Sequence, residues 1–208
     1  MSDAAEKSER GQADGGNRRK LIDAAYARIA ADGFEGLRTR DVAADAGVNI
    51  GTLHYYFPSK EALIHAAAQH MFQQFFATLS RQGSPTEQLR GHLDGLRQLL
   101  KTDPQLWAVA SEVALRAARD DDIARMLRRS EEGWYGFLRE MVAHGVADGS
   151  LASDLQPEEV AATLMAAIKG LSMPWPGAFR PEQIDQTFEQ LAQWLGMSPA
   201  TPSEPRES

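Results

Sequence analysis

Apolar residues recur at helical spacing through most of the chain, in stripes such as Leu89, Leu93 and Leu96. Four of these stripes, including this one, each follow a proline that has an acid or amide close behind it, which is typical of helix starts. The four prolines are at residues 85, 104, 157 and 181. No alternating run is long enough to predict a strand. The pattern therefore predicts an all-α fold of about nine helices, at about 18–32, 39–46, 50–56, 60–80, 85–101, 104–118, 121–146, 157–172 and 181–196.

The predicted helices change in length after residue 58. The first three are short and closely spaced, whereas the later ones are long. We therefore predict an N-terminal three-helix domain over residues 17–58 and a larger helical bundle over residues 59–197. Residues 1–16 and 198–208 are polar and have no apolar period, which is typical of disordered tails.

Composition restricts the available chemistry. The 208 residues include no cysteine, which excludes disulfides, cysteine-ligated metals and thiol catalysis. The N-terminus lacks the basic start and apolar run of a signal peptide. The most apolar stretch, residues 160–168, is much shorter than the roughly 20 residues of a membrane span. We therefore expect a cytoplasmic protein without a membrane partner.

The net charge of −7 is unevenly distributed. Residues 17–60 carry seven basic and five acidic side chains, whereas residues 61–208 carry 13 basic and 20 acidic ones. A mildly basic end on an acidic body lets that end approach phosphates while the body is repelled. The distribution is thus compatible with nucleic-acid binding by the N-terminal domain.

Residues 39–57 have the pattern of two short helices joined by a tight turn. Thr39 can cap the first helix, and Asp41 lies in its first turn, where the helix dipole favours an anion. Small apolar residues follow on one face. Gly47 can end that helix in a left-handed conformation, and Asn49 can cap the next one. The short turn between them predicts a helix-turn-helix.

The second of these helices is short and unusually polar. Gly51 lets the backbone approach another surface, while Leu53 and Phe57 form an anchoring face. Hydrogen-bonding side chains occupy the other positions: Thr52, His54, Tyr55 and Tyr56. This composition suits insertion into the major groove of DNA, and it equally suits a surface helix with half-buried tyrosines.

The run from Thr39 to Leu63 resembles the signature segment of the tetracycline-repressor (TetR) family of transcriptional regulators. Residues 51–63 read Gly-Thr-Leu-His-Tyr-Tyr-Phe-Pro-Ser-Lys-Glu-Ala-Leu, and the family carries glycine-threonine-leucine, aromatics, phenylalanine, a short polar pair, lysine and leucine. Ala24-Ala25 and residues 32–39 resemble the family's first helix and its exit. The resemblance covers about residues 18–65, and it departs at His54, where tyrosine is usual.

The resemblance implies a recognition helix over residues 49–56 and phosphate contacts on both sides of it. Ile50, Gly51 and Thr52 would lie nearest the base edges, and the hydroxyl of Tyr55 would reach a phosphate. The expected DNA contacts are Thr39, Arg40, Asn49, Ile50, Gly51, Thr52, His54, Tyr55, Tyr56 and Lys60. The preceding basic run over residues 18–20 either adds phosphate contacts or is a solvated surface.

The C-terminal region is rich in aromatic residues and methionines. By family resemblance it would bind a largely apolar or aromatic small molecule, and the alternative is ordinary core packing. The residues expected to line the ligand site lie on central helices: Trp107, Trp134, Phe137, Met141 and Met165. Glu112 lies among apolar residues with Arg116 four positions later, which predicts a surface ion pair.

The last two predicted helices resemble the dimerisation elements of the family. Their apolar residues would form a four-helix bundle with a second copy, or would pack only within the monomer. The expected interface residues are Ala161, Leu164, Ile168, Leu171, Phe188, Leu191, Trp194 and Leu195. Dimerisation would place two recognition helices about 34–36 Å apart on a palindromic operator.

The sequence gives less support to two other classes of function. The five histidines form no pair at metal-ligand spacing, and the chain has no phosphate-binding loop or nucleophile elbow, so no catalytic residue, metal or cofactor is expected. A helical interaction protein without specific DNA binding is the second alternative. We therefore predict a ligand-responsive transcriptional regulator, most simply a repressor, that binds palindromic operator DNA as a homodimer and is released by its effector.

Overall fold

A computed structural model describes residues 2–80, 82–173 and 179–197, with side chains from residue 15 onward. The described residues form nine α-helices and no strand, which confirms the all-α prediction. The helices are α1 (Ser2–Gly36), α2 (Thr39–Asp45), α3 (Ile50–Tyr56), α4 (Lys60–Phe76), α5 (Pro85–Thr102), α6 (Pro104–Ala117), α7 (Asp121–Ala147), α8 (Pro157–Leu171) and α9 (Pro181–Trp194).

The start of α1 differs from the prediction. The helix begins at Ser2 rather than near residue 18, so residues 2–16 are helical where a disordered tail was predicted. Ala4, Ala5 and Glu6 are strong helix formers, so propensity favours a helix over these residues although no apolar stripe marks one. The predicted tail over residues 198–208 lies outside the described residues.

The other helix boundaries follow from capping chemistry in the sequence. Asn49, Ser59 and Asp103 each accept a backbone N–H with their side chains at the start of α3, α4 and α6. Proline occupies the first turn of α6, α8 and α9, where its missing N–H costs nothing. The largest difference from a predicted boundary after α1 is at the end of α4, which stops at Phe76 rather than near residue 80.

The described residues divide into two compact units. The first unit comprises the described parts of Met1–Ala77 and Asp103–Ser130. Within it, α1 packs against α4 and α6, α4 packs against α6, and the short pair α2 and α3 packs beside α1. Its core includes fully buried side chains of α1, α4 and α6, such as Leu21, Leu63 and Leu106. This grouping differs from the predicted boundary near residue 58, because the apolar face of α1 is covered by α4 and α6.

The second unit comprises the described parts of Thr78–Thr102 and Glu131–Ser208. Here α5 packs against α9, and Arg97 and Lys101 of α5 both contact the carboxylate of Asp185 on α9. Two ion pairs connect α7 with α8: Arg139 with Glu158, and Lys169 with Glu131. None of the helices, as far as the structure describes them, has a stretch apolar and long enough to cross a membrane.

Candidate nucleic-acid interface

The turn between α2 and α3 has the geometry of a glycine C-cap. Gly47 has φ +66°, and its N–H donates to the carbonyl of Ala44 at 3.0 Å. The N–H of Val48 donates to the carbonyl of Ala43 at 3.0 Å. This pair of bonds is the Schellman arrangement, which satisfies two carbonyls at the end of α2. The sequence prediction that Gly47 ends the helix is confirmed.

The start of α2 differs in one respect from the expectation. Thr39 is the first helical residue, and the capping position is occupied by Arg38, whose side chain makes no capping hydrogen bond. Thr39 therefore does not cap the helix as predicted. Asp41 does lie in the first turn, where its carboxylate faces the positive end of the helix dipole.

The short helix α3 is held from one side. Asn49 Oδ1 accepts the backbone N–H of Thr52 at 2.8 Å and lies 3.2 Å from the Thr52 hydroxyl, so Asn49 caps the helix as predicted. Leu53 and Phe57 are buried, at 0 and 3 % exposure, and anchor the helix to the first unit. A Cβ at Gly51 would lie 3.2 Å from Asn49 Oδ1, so a larger residue there would require a small shift of the Asn49 side chain.

The opposite face of α3 is open to solvent. Ile50 and Tyr55 are 39 and 76 % exposed. None of the ten predicted DNA contacts is buried. Exposed are Arg40, Asn49, Ile50, Gly51, His54 and Tyr55, while Thr39, Thr52, Tyr56 and Lys60 are half-buried. Such a surface can approach a groove without rearranging the core.

The start of α4 presents a second set of polar groups. Ser59 Oγ accepts the N–H of Ala62 at 3.1 Å and caps the helix, and Lys60 is its first residue. The Glu61 carboxylate accepts hydrogen bonds from its own backbone N–H and from Ser59, which lowers its pKa. A cation at a capped helix N-terminus is a common way to bind phosphate.

Two contacts fix the helix-turn-helix against α1. Arg28 of α1 donates to both carboxylate oxygens of Asp45, at 2.6 and 3.1 Å, and this pairing raises the pKa of Arg28 and lowers that of Asp45. The guanidinium of Arg18 lies 5.5 Å from the centroid of the Phe57 ring, within cation–π distance. In the basic run over residues 18–20, Arg19 pairs with Asp23 at 2.8 Å.

Glu112 was predicted to form a surface ion pair with Arg116, and the structure corrects this. Its Oε2 accepts the backbone N–H of Phe34 at 3.1 Å, at a break in α1. Arg116 instead lies 3.4 Å from Asp120 and 3.9 Å from Glu35. The i, i+4 rule considers only neighbours on one helix, so it could not find a partner 78 residues away.

The five predicted ligand contacts are distributed over both units. Trp107 belongs to the first unit, where its ring meets that of Phe75 edge-on at 6.3 Å. The other four belong to the second unit. There Trp134 and Met141 are buried, whereas Phe137 and Met165 are half-buried. Their role in ligand binding stays a prediction.

A buried polar cluster around His92 in the second unit was not predicted. His92 is fully buried, and its Nε2 accepts the indole N–H of Trp134 at 2.8 Å. Its Nδ1 therefore carries the proton and lies 2.8 Å from the Thr78 hydroxyl. Burial lowers the pKa of His92 to about 4. The available signal was a histidine inside the apolar stripe of α5, next to Leu93.

Most residues of the predicted dimer face are buried within their own chain. Seven of the eight are less than 9 % exposed within their own chain: Ala161, Leu164, Ile168, Leu171, Phe188, Leu191 and Leu195. They belong to the monomer core, which was the alternative left open by the sequence. Trp194 differs, with 41 % exposure. On α8 the exposed residues are the neighbours of the predicted ones, including Ala162, Ala166 and Gly170.

One group of three histidine and carboxylate side chains that could hold a metal ion occurs among the described residues. His65 of α4, Asp120 and Asp122 bring their ligand atoms within 4.8 Å of one another. Both carboxylates have arginine partners, because Arg116 pairs with Asp120 and Arg125 pairs with Asp122. The group is formed by chain folding, so the spacing of histidines in the sequence could not reveal it.

Comparison with known proteins identifies the two parts of the chain. Residues 21–67 match the family model for bacterial regulatory proteins of the tetR family, and residues 85–195 match that for the C-terminal part of BetI-type transcriptional repressors. The HTH-type transcriptional repressor DhaR of Mycobacterium sp. (strain GP1) is 26 % identical over 172 residues, which are 78 % of this chain and 80 % of DhaR.

Solved structures share the fold. One described as a TetR-family transcriptional regulator from Rhodococcus sp. has a TM-score of 0.70 at 25 % identity, over 88 % of this chain and 100 % of its own. A TetR transcriptional regulator from Chloroflexus aurantiacus J-10-FL has a TM-score of 0.75 at 19 % identity, over 89 % of this chain and 96 % of its own.

The fold and the helix-turn-helix define a DNA-binding transcriptional regulator. The chain belongs to the TetR family of bacterial regulatory proteins, as its resemblance at residues 18–65 indicated. DhaR, which matches over most of its length, is named a repressor, which supports a repressor role, and the family is one of regulators.

Proposed function

We propose that this chain represses transcription by binding a palindromic operator as a homodimer and that a small-molecule effector releases it. The observation that carries the DNA-binding part is the one-sided packing of α3. Leu53 and Phe57 anchor this helix, while Ile50 and Tyr55 remain exposed on a surface flanked by the start of α4. A short anchored helix with an open polar and aromatic face suits the major groove.

The residues of α3 would divide between reading bases and positioning the protein. Ile50 would contact thymine methyls. Gly51 has no side chain and that of Thr52 is short, so both residues would let the helix backbone lie close to the base edges. Tyr55 and Lys60 would bind phosphates, which fix the register without carrying sequence information. Thr39, Arg40, Asn49, His54 and Tyr56 complete the proposed contact surface.

The dimer would use the exposed side of α8 together with Trp194. Ala162, Ala166 and Gly170 lie at intervals of four, so they form one stripe of small exposed residues. Small side chains permit close helix crossing, and the exposed indole of Trp194 adds apolar area. Two copies joined there would present two α3 helices to one operator.

The effector site would lie in the helical region beyond residue 58, which is rich in aromatic residues and methionines. Phe137 and Met165 are half-buried, so they can contact a ligand without leaving the core. Because the effector would weaken operator binding, the operator would weaken effector binding by the same factor. The free energy of this coupling is typically about 1–3 kcal/mol. A largely apolar or aromatic molecule suits such a lining.

The function is tested by affinity selection of genomic fragments from the source organism, followed by footprinting. We expect a protected palindrome and binding at least about a thousandfold tighter than to a scrambled duplex at near-physiological salt. Lys60→Ala should weaken binding to both duplexes. It should also reduce the slope of the logarithm of the binding constant against the logarithm of the salt concentration by about one. Arg129→Ala, an exposed arginine of α7 outside the proposed contact surfaces, is the matched control and should leave both unchanged. Equal affinity for selected and scrambled DNA would favour a helical interaction protein instead.

A further inference from the structure

The first helix contains a backbone break just before the helix-turn-helix. Gly33 has φ +69° and ψ 178°, a combination that is essentially restricted to glycine. The break redirects the chain so that Phe34 and Leu37, at 4 and 2 % exposure, enter the core of the first unit. Helix α2 begins at Thr39, two residues after Leu37, so the geometry at Gly33 determines how the helix-turn-helix leaves α1.

A side chain of α6 completes this break. Glu112 Oε2 accepts the backbone N–H of Phe34 at 3.1 Å, in a partly buried contact. A break in a helix deprives the following N–H of its usual carbonyl partner, and an unsatisfied N–H in a partly buried position is costly. A Cβ at Gly33 would lie 3.0 Å from Oε2, so a side chain there would also displace the carboxylate.

The contact joins α6 to the segment that carries the recognition helix. From Phe34 the chain continues into α2, whose last residue is held to α1 by Arg28 and Asp45. One turn after Glu112, Arg116 lies 3.9 Å from Glu35, on the same segment of α1. A displacement of α6 would therefore act directly on the exit of α1.

We propose that Glu112 is a positioning residue for operator binding, acting through the Phe34 N–H. The hydrogen bond holds the exit of α1 in one conformation, and the orientation of α2 and α3 follows from it. Without the bond, the exit must be ordered when DNA binds, and that entropy cost lowers the affinity. This inference rests on the proposed DNA-binding function and assigns to α6 a role in setting it.

Two variants separate the hydrogen bond from the bulk of the side chain. Glu112→Gln keeps an acceptor oxygen, whereas Glu112→Leu keeps a similar volume without one. We expect Glu112→Leu to bind the selected operator about tenfold more weakly, a change in the range for one lost hydrogen bond to a charged group. Glu112→Gln should recover most of this loss. Gln105→Leu, on the exposed surface of α6, is the control and should bind like the unmodified protein.

Amide hydrogen exchange tests the contact without DNA. In Glu112→Leu the Phe34 amide should exchange faster, while the core amides of α4 keep their protection; Gln105→Leu should show no such change. Unchanged exchange at Phe34, or equal operator affinity of Glu112→Leu and the unmodified protein, would overturn the inference. Failure of the unmodified protein to bind any selected DNA would instead contradict the proposed function, and the exchange result would still decide whether Glu112 holds the α1 exit.

Discussion

Asn49 combines a structural and a functional role that substitution can separate. Its Oδ1 caps α3 by accepting the Thr52 N–H, and its side chain is exposed on the proposed DNA surface. Asn49→Ala should lower the free energy of unfolding by about 1 kcal/mol, because the cap is lost. Asn49→Asp should keep the stability, since aspartate caps equally well, yet weaken operator binding because the new charge faces phosphates. Denaturant unfolding and DNA titration measure the two effects.

Asp103 provides the control for Asn49. It caps α6 by accepting the Leu106 N–H at 3.0 Å, away from α3 in the sequence. Asp103→Asn is the reverse of the Asn49→Asp substitution, made at a different helix cap. It should change neither the free energy of unfolding nor the operator affinity appreciably. If Asn49→Asp bound the operator as tightly as the unmodified protein, Asn49 would have no place in the DNA contact surface.

Two glycines with positive φ allow backbone strain to be compared with close contact. A Cβ at Gly47 would meet nothing within 4 Å, whereas one at Gly33 would meet the Glu112 carboxylate. Gly47→Ala should therefore cost about 1 kcal/mol from the left-handed conformation alone. Gly33→Ala should cost about 3 kcal/mol, because its φ/ψ region excludes side chains and the carboxylate must also move. Thermal and denaturant unfolding measure both, and equal losses would contradict the role given to the contact.

At the scale of elements, the sequence predicted the helices well because their ends are chemically marked. Asn49, Ser59 and the prolines at the starts of α6, α8 and α9 specify boundaries locally, and Gly47 ends α2 by its conformational freedom. The residues of the helix-turn-helix were predictable for the same reason, since one short segment contains the caps, the turn and the anchors. Only α1 was misplaced at its start, where propensity acts without an apolar stripe.

Contacts between distant elements were less predictable. On α8 the sequence left open whether the stripe that contains Leu164 packs within the monomer or against a second copy. The structure buries Leu164 completely and exposes Ala166. Glu112 shows the same difficulty, because its local partner Arg116 was plausible and its real partner lies on another helix. Periodicity identifies a helix, but the packing of the whole chain determines its buried face.

For the whole molecule, this difference between the two stripes of α8 gives a test of the dimer. Leu164→Ala should lower the free energy of unfolding by about 3 kcal/mol, since a fully buried side chain leaves a cavity, yet leave the dimer assembled below its melting temperature. Ala166→Glu should change the stability of the monomer little and dissociate the dimer, because two copies would bring like charges together. Sedimentation velocity and denaturant unfolding distinguish the two effects. A dimer that persisted in Ala166→Glu would place the interface elsewhere.

The stability of the whole molecule should also depend on pH through His92. Burial lowers its pKa to about 4, whereas an unfolded histidine has a pKa of about 6.5. As the pH falls below about 6.5, the unfolded chain binds a proton that the folded chain does not, so the free energy of unfolding decreases until about pH 4. The full loss is on the order of 3 kcal/mol. Denaturant unfolding between these pH values measures it.

A glutamine at position 92 isolates the contribution of this histidine. In His92→Gln the amide oxygen can accept the Trp134 N–H and the amide nitrogen can donate towards Thr78, so both partners of the imidazole are retained without a titrating group. We expect most of the pH dependence between about pH 6.5 and 5 to disappear. The remainder comes from His70, whose pKa burial also lowers, and nearer pH 4 from carboxylates with lowered pKa such as Asp45 and Glu61. His54→Gln, at an exposed position, should preserve the full dependence. If His92→Gln retained it as well, the buried imidazole would not be the group that links folding to pH.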